Sequence, residues 1–183
     1  IFSTPIETYY NSITKPIVLF GAGESVDDGI KLIKNEKDKY FILCVDTSLK
    51  TLIDYNIIPD GCFIEEAQQI ITKAFIGTQN KTHIFAAITS IPQIASYYSK
   101  NNISYFTTKF TSSNFISNLE KDKLLPNINP PFGSVGLTAF YYAAHFRKDT
   151  TIPIYFYGLD FSYSTGKTHC KNSLAHYQRL ISN

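Results

Sequence analysis

The chain has 183 residues, a length typical of one domain with a full hydrophobic core. Apolar residues make up 44% and charged residues 17%, and this balance argues against a disordered chain. The net charge is +2, no run of Lys and Arg exceeds two residues, and no apolar stretch reaches about 18 residues. Composition therefore gives no indication of nucleic-acid binding or of a membrane span.

Short apolar runs alternate with helix-type segments along the chain. The predicted strands are residues 16–20, 40–45, 61–64, 83–87, 103–106 and 152–157. The predicted helices are residues 26–37, 47–55, 65–75, 91–100, 133–146 and 172–181. Residues 107–131 are polar and aperiodic, which fits a loop, a lid or short irregular helices. This alternation predicts a Rossmann-like α/β fold, with a mostly parallel sheet and helices on both faces.

The cysteines Cys44, Cys62 and Cys170 form no CxxC pair. An odd number without that spacing argues against a disulfide framework and against a zinc site, and it favours a reducing, cytoplasmic location. The chain starts at Ile1 and contains no Met. We therefore expect a single nucleotide-binding α/β domain over residues 1–183 that is a fragment of a longer protein.

The segment Gly21-Ala22-Gly23-Glu24-Ser25 links the first predicted strand to the first predicted helix. Glycines allow phosphate to approach backbone N–H groups, and the helix N-terminus adds partial positive charge. The segment is not a Walker A motif and matches only the first half of GxGxxG. The Glu24 carboxylate would repel phosphate unless it points outward or meets a metal. The segment predicts a nucleotide-binding loop, with a plain strand-to-helix turn as the alternative.

Other candidate residues fall at the ends of predicted strands and helices, where open parallel sheets bind ligands. Asp46 can accept a hydrogen bond from a ribose hydroxyl or simply cap the next helix. Gly133 and Ser134 open a helix that suits an anion or a sugar hydroxyl, although a bare cap explains Ser134 as well. Asp160 with His169 can serve proton transfer, the alternative being an inert surface histidine. We expect structural roles for the remaining histidines, His83, His145 and His176.

Together these motifs resemble the family named for archaeal 6-hydroxymethylpterin diphosphokinase. That family includes the bacterial motility-associated factor proteins, regarded as glycosyltransferases that act on flagellin. The matching stretches are VLFGAGESV (18–26), DTSLKTL (46–52), NIIPD (56–60), GSVGLTA (133–139), IYFYGLDF (154–161) and TH (168–169). A more distant likeness is to bacterial sialyltransferases with CMP-sugar donors. Glu24 stands where the family loop has proline, and the Asp expected shortly after Asp60 appears as Glu65 or Glu66.

The resemblance implies a glycosyltransferase that takes a nonulosonic acid, a sialic-acid-like sugar, from a CMP-linked donor to a protein or glycan hydroxyl, for example on flagellin. Residues 21–25 and Asp46 would then hold the nucleotide, and Ser134 with its helix start would bind phosphate or the sugar carboxylate. His169 would be the general base or acid, with Asp160 orienting it or the acceptor.

Two alternatives remain open. The family name implies diphosphoryl transfer from ATP to a pterin alcohol, which would need Mg²⁺ with Asp160, Glu65 or Asp46 as ligands. The other is a non-catalytic module that senses a nucleotide. The glycosyltransferase hypothesis requires no metal, so a test of metal dependence distinguishes it from the diphosphokinase hypothesis.

Overall fold

The computed structural model describes residues 3–78, 81–111, 113–162 and 168–173. Within them, the strands are β1 Ile17–Phe20, β2 Phe41–Val45, β3 Gly61–Ile64, β4 His83–Ala87, β5 Ile103–Thr108, β6 Ile128–Asn129 and β7 Ile154–Tyr157. The α-helices are α1 Val26–Ile33, α2 Asp46–Asp54, α3 Ile94–Tyr97, α4 Asn114–Lys121 and α5 Val135–Phe146. Turns of 3₁₀ helix span Ile6–Tyr9, Lys37–Lys39, Gln69–Phe75 and Lys100–Asn102.

The strands form one parallel sheet in the order β6-β5-β4-β3-β2-β1-β7, which confirms the predicted α/β fold. From β1 to β6 each strand is added on the same side, and β7 then pairs with the other side of β1. Phe20 is in register with Tyr157, so β1 and β7 end side by side. The order in which strands are added to the sheet reverses between β1 and β7, and open parallel sheets bind ligands at such a point.

The sheet is covered on both faces because alternate residues of each strand point into separate cores. Val18 and Phe20 of β1 pack in a core that also takes the buried side chains of α1 and α2. Ile17 and Leu19 pack in a second core with the buried side chains of α5. Both faces of β1 are therefore apolar, which explains why its sequence is an unbroken apolar run.

Several predicted helices are shorter than expected. The helix over 26–37 ends at Ile33, where Glu36 N–H donates to the Ile33 carbonyl in a tighter turn. The helix over 91–100 reduces to α3. The prediction of a helix over 65–75 is wrong at its start, because only Gln69–Phe75 is helical, and it forms a 3₁₀ helix.

The aperiodic stretch 107–131 contains the end of β5, then α4 and β6. α4 buries none of its side chains. The predicted helix over 172–181 lies outside the described residues, apart from residues 172 and 173, and these are not helical. No helix within the described residues is long and apolar enough to cross a bilayer.

Candidate functional site

Two neighbouring clefts lie at the carboxyl edge of the sheet, and both are lined by Ser134 and Val135 at the start of α5. The first, which we call the acidic cleft, has a volume of about 470 Å³ and lies beyond β2, β3 and β5. The second, which we call the loop cleft, has a volume of about 330 Å³ and lies beyond β1 and β7. The acidic cleft is also lined by Asp46, Thr47, Glu65, Glu66, Phe110 and Phe132. The loop cleft is also lined by Ala22, Gly23, Gly158, Leu159, Asp160 and His169.

The Gly21–Ser25 loop is bound to the turn that follows β7. Gly21 N–H donates to the Tyr157 carbonyl at the end of β7 at 2.7 Å, and Gly23 N–H donates to the Gly158 carbonyl of the turn at 2.8 Å. The Ser25 N–H donates to Asp160 Oδ2 at 3.0 Å. A Cβ on Gly23 would overlap the Asp160 carboxylate, so close packing alone explains this glycine. These three N–H groups already have acceptors, and nucleotide contact by the loop stays a prediction.

Ser25 and Asp160 form the centre of this junction. Asp160 Oδ1 accepts a hydrogen bond from the Ser25 hydroxyl, and Ser25 Oγ accepts one from the Gly158 N–H at 2.7 Å. Ser25 immediately precedes α1, where the helix carries partial positive charge. The chain's own Asp160 carboxylate therefore takes the position at α1 where the sequence predicts a bound anion.

His169 lies in the loop cleft and is half-buried. Burial lowers the pKa of its imidazole, so the ring is neutral near pH 7 and able to accept a proton. Its Nδ1 lies 3.0 Å from the Thr168 hydroxyl. The structure brings His169 and Asp160 to the same cleft, as predicted, while the Asp160 carboxylate is hydrogen-bonded to Ser25. A catalytic role for either residue stays a prediction.

Asp46 is buried in the wall of the acidic cleft, with 4% of its surface exposed. As the first residue of α2, it accepts hydrogen bonds from Thr47 N–H at 2.6 Å and from Thr47 Oγ at 3.0 Å. Burial raises the pKa of Asp46 to about 6; these hydrogen bonds lower it, and repulsion from Glu66 and Glu65 raises it. Asp46 therefore bonds locally to Thr47 but does not cap α2, so the alternative role as a helix cap is wrong, and a ribose contact remains a prediction.

Glu65 connects three elements at the base of the acidic cleft. Its Oε1 accepts hydrogen bonds from Thr108 Oγ of β5 at 2.8 Å and from Thr138 Oγ of α5 at 3.1 Å. Glu66 Oε1 accepts one from Gln68 N–H at 2.9 Å. Sequence reasoning missed the threonines, because their partner lies in a distant part of the chain.

The acidic cleft does not provide a metal centre as it stands. Among the described residues, no group of three or more His, Cys, Asp or Glu side chains is arranged to hold a metal ion. Asp46 and Glu65 are already hydrogen-bonded within the protein. Mg²⁺ usually binds through one or two carboxylates together with substrate phosphates, so the Mg²⁺ of a diphosphokinase would have to use the second oxygens of Asp46 and Glu65.

The start of α5 lies where the two clefts meet. Gly133 adopts a positive φ of 78°, which favours glycine, and Ser134 caps the helix by accepting a hydrogen bond from Leu137 N–H at 3.3 Å. A Cβ on Gly136 would overlap Leu159, so α5 packs tightly against the turn after β7. First-turn N–H groups lack acceptors within a helix, and this end of α5 could bind an anion from either cleft.

Comparison with known proteins places the chain among longer relatives. Residues 2–166 match the family described as "6-hydroxymethylpterin diphosphokinase MptE-like". A Treponema pallidum (strain Nichols) protein described as "Uncharacterized protein" is 36% identical over 170 residues, which are 92% of this chain and 29% of that protein. The MAf glycosyltransferase from Magnetospirillum magneticum AMB-1 has a similar fold, with a TM-score of 0.65 at 17% identity, over 89% of this chain and 28% of its own. This chain spans less than a third of each relative's length.

Proposed function

Because the chain belongs to the 6-hydroxymethylpterin diphosphokinase MptE-like family and has the fold of a MAf glycosyltransferase, we propose that it binds a nucleotide-activated sugar and transfers the sugar to a hydroxyl group. The observation that carries this proposal is the pair of clefts at the start of α5. One cleft holds a neutral histidine, and the other is lined by carboxylates, which accept hydrogen bonds from sugar hydroxyls.

The donor phosphate is assigned to the loop cleft. Asp46, Glu65 and Glu66 all line the acidic cleft and would repel phosphate there. The first turn of α5 offers N–H groups and partial positive charge on the other side of Ser134. The Gly21–Ser25 loop then supports the nucleotide from the side, through Ala22 and the surface of Gly23, and not through its paired N–H groups.

The sugar is assigned to the acidic cleft, with Phe110 and Phe132 as apolar walls and Asp46 and Glu66 as hydroxyl acceptors. A nonulosonic acid carries a carboxylate, which these acids would repel. That carboxylate would face Ser134 at the start of α5, where a helix N-terminus favours an anion. A CMP-linked nonulosonic acid would therefore bind with its hydroxyls in the acidic cleft and its carboxylate at the start of α5, away from the Asp46 and Glu66 carboxylates.

His169 is assigned as the general base. Its neutral imidazole accepts the proton of an acceptor hydroxyl, whose oxygen attacks the anomeric carbon of the sugar. The bond from that carbon to the donor phosphate breaks, and its electrons leave with the nucleotide. A protein hydroxyl, for example on flagellin, or a glycan hydroxyl is the acceptor in this proposal.

Diphosphoryl transfer to 6-hydroxymethylpterin is the second candidate. Three carboxylates in one cleft and the family description favour it. The hydrogen bonds of Asp46 and Glu65 weigh against it, because they already engage one oxygen of each carboxylate that would bind Mg²⁺.

A thermal-shift screen of CMP, CDP, UDP, GDP and ATP, each with and without Mg²⁺, tests the proposal. A ligand at about 100 times its Kd stabilises the folded state by about 2.7 kcal/mol. We expect a cytidine nucleotide to raise Tm equally with and without Mg²⁺. A rise with ATP alone, dependent on Mg²⁺, would support the kinase. Nucleotide binding without turnover of any sugar nucleotide would indicate a sensing module, and no shift with any nucleotide would contradict all three.

A further inference from the structure

The chain holds its own carboxylate at the N-terminus of α1. Asp160 Oδ2 accepts from Ser25 N–H at 3.0 Å, and Oδ1 accepts from the Ser25 hydroxyl. The same hydroxyl oxygen accepts from Gly158 N–H at 2.7 Å. One serine therefore joins the loop after β1 to both ends of the turn after β7, across 135 residues of sequence.

The loop in turn holds the segment that carries His169. The Ala22 carbonyl accepts a hydrogen bond from Cys170 N–H at 3.0 Å. Cys170 is fully buried, and Thr51 Oγ donates to the Lys171 carbonyl at 2.7 Å. His169 precedes these two anchors directly, and its own ring contacts the hydroxyl of the adjacent Thr168. The position of the imidazole thus depends on the main chain around it.

We propose that Asp160 is a positioning residue that acts on His169 through Ser25 and the Gly21–Ser25 loop. The carboxylate fixes Ser25, Ser25 fixes the loop, and Ala22 in the loop fixes Cys170 and so the imidazole. The role in catalysis rests on the proposed function, whereas the mechanical coupling does not need a ligand. It also follows that a donor phosphate cannot use the N-terminus of α1 without displacing Asp160.

Amide hydrogen exchange at Cys170 tests the coupling directly. Ser25→Ala removes the hydroxyl, and Asp160→Asn removes one of the two acceptor oxygens for Ser25. We expect either variant to exchange the Cys170 amide about tenfold faster than the wild type, and to shift the NMR signals of the His169 ring. The double variant should lose little more than the larger single change, because both break the same contact. Ser25→Thr, which keeps the hydroxyl, should restore slow exchange.

Ser104→Ala is the matched control. It also removes a buried hydroxyl with two contacts, to the Thr4 carbonyl at 2.6 Å and to His83 Nε2 at 2.8 Å, and Ser104 lines neither cleft. We expect it to lower global stability without selective exchange at Cys170. Exchange at Cys170 and His169 signals that match the wild type in folded Ser25→Ala and Asp160→Asn would overturn the proposal. If Ser25→Ala does not fold, Asp160→Asn and Ser25→Thr decide the question alone.

Kinetics separate this proposal from the proposed function. If a sugar nucleotide is turned over, Asp160→Asn should lower kcat by about tenfold or more with little change in KM, the split expected when base placement is lost. If the wild type turns over no sugar nucleotide, the proposed function fails, and the exchange result at Cys170 still stands or falls by itself.

Discussion

Replacing Glu65 should test whether its two threonine contacts hold α5 against the sheet. Glu65→Ala removes the acceptor for Thr108 and Thr138, which donate at 2.8 and 3.1 Å. A hydrogen bond to a charged acceptor contributes about 1.5–3 kcal/mol, and Glu65 is only partly buried, so we expect a total loss of about 3 kcal/mol. That corresponds to a fall in Tm of about 6–12 °C for a domain of this size. Glu65→Gln keeps a neutral acceptor, and about half of that loss is expected.

Glu66 provides the control, because it is adjacent and exposed, and its side chain accepts a hydrogen bond from the nearby Gln68 N–H. Glu66→Ala should cost under about 1 kcal/mol in the free energy of unfolding. Urea denaturation of the three variants at one pH gives the comparison, with equal slopes against urea as the requirement for a two-state reading. Equal losses for Glu65→Ala and Glu66→Ala would refute the reasoning, as would a wild-type value for Glu65→Ala.

Four further predictions concern the clefts and the core. Gly23→Ala should lower the free energy of unfolding by about 1–3 kcal/mol, because the added Cβ would overlap Asp160. In a variant that already carries Asp160→Gly, the same substitution should lower the free energy of unfolding by less. An equal loss in that variant would contradict the overlap. Burial lowers the pKa of His83 to about 4, so the unfolded state binds more protons between pH 4 and its usual 6.5. The free energy of unfolding should therefore fall as pH drops through that range, and His83→Phe, which keeps a ring there, should flatten the pH dependence. His169→Ala should lower turnover by about 10²-fold with donor affinity nearly unchanged; a folded variant with normal turnover would exclude it as the base. We predict that residues 107–131 act as a lid over the clefts: outside β5 and β6 they should show low hydrogen-exchange protection that rises with bound nucleotide, and high protection in both states would contradict this.

The positions of β1 to β5 and of β7 were predictable because their signal is local, whereas the two-residue β6 was not predicted. β1 and β2 read as unbroken apolar runs, and a strand buried on both faces requires that pattern. The helix boundaries were less predictable where contacts with distant parts of the chain, and not the local apolar pattern, set the conformation. Glu65 was predicted to start a helix, yet its carboxylate bonds to Thr108 and Thr138, and the chain turns helical only at Gln69.

The motifs of the candidate site were visible in the sequence, but their partners were not. Ser134 acts as the local cap that its position allowed, whereas Asp46 is the first residue of α2 and its carboxylate bonds to the adjacent Thr47 without capping the helix. Nothing near Asp46 in sequence indicated that burial would raise its pKa to about 6, because the cleft around it is assembled from three strand ends. Burial and charge repulsion depend on neighbours that only the folded chain brings together.

The sequence by itself determined the parallel α/β fold, since alternating strands and helices admit few other arrangements, and it identified the Gly21–Ser25 loop and His169 as candidates. The tertiary structure decided what that loop contacts. It placed β7 beside β1, so that Asp160 fills the anion position at α1 and a side chain on Gly23 has no room. Local composition sets which conformations a segment can adopt, whereas pairing across 135 residues depends on strand order, which no local pattern encodes.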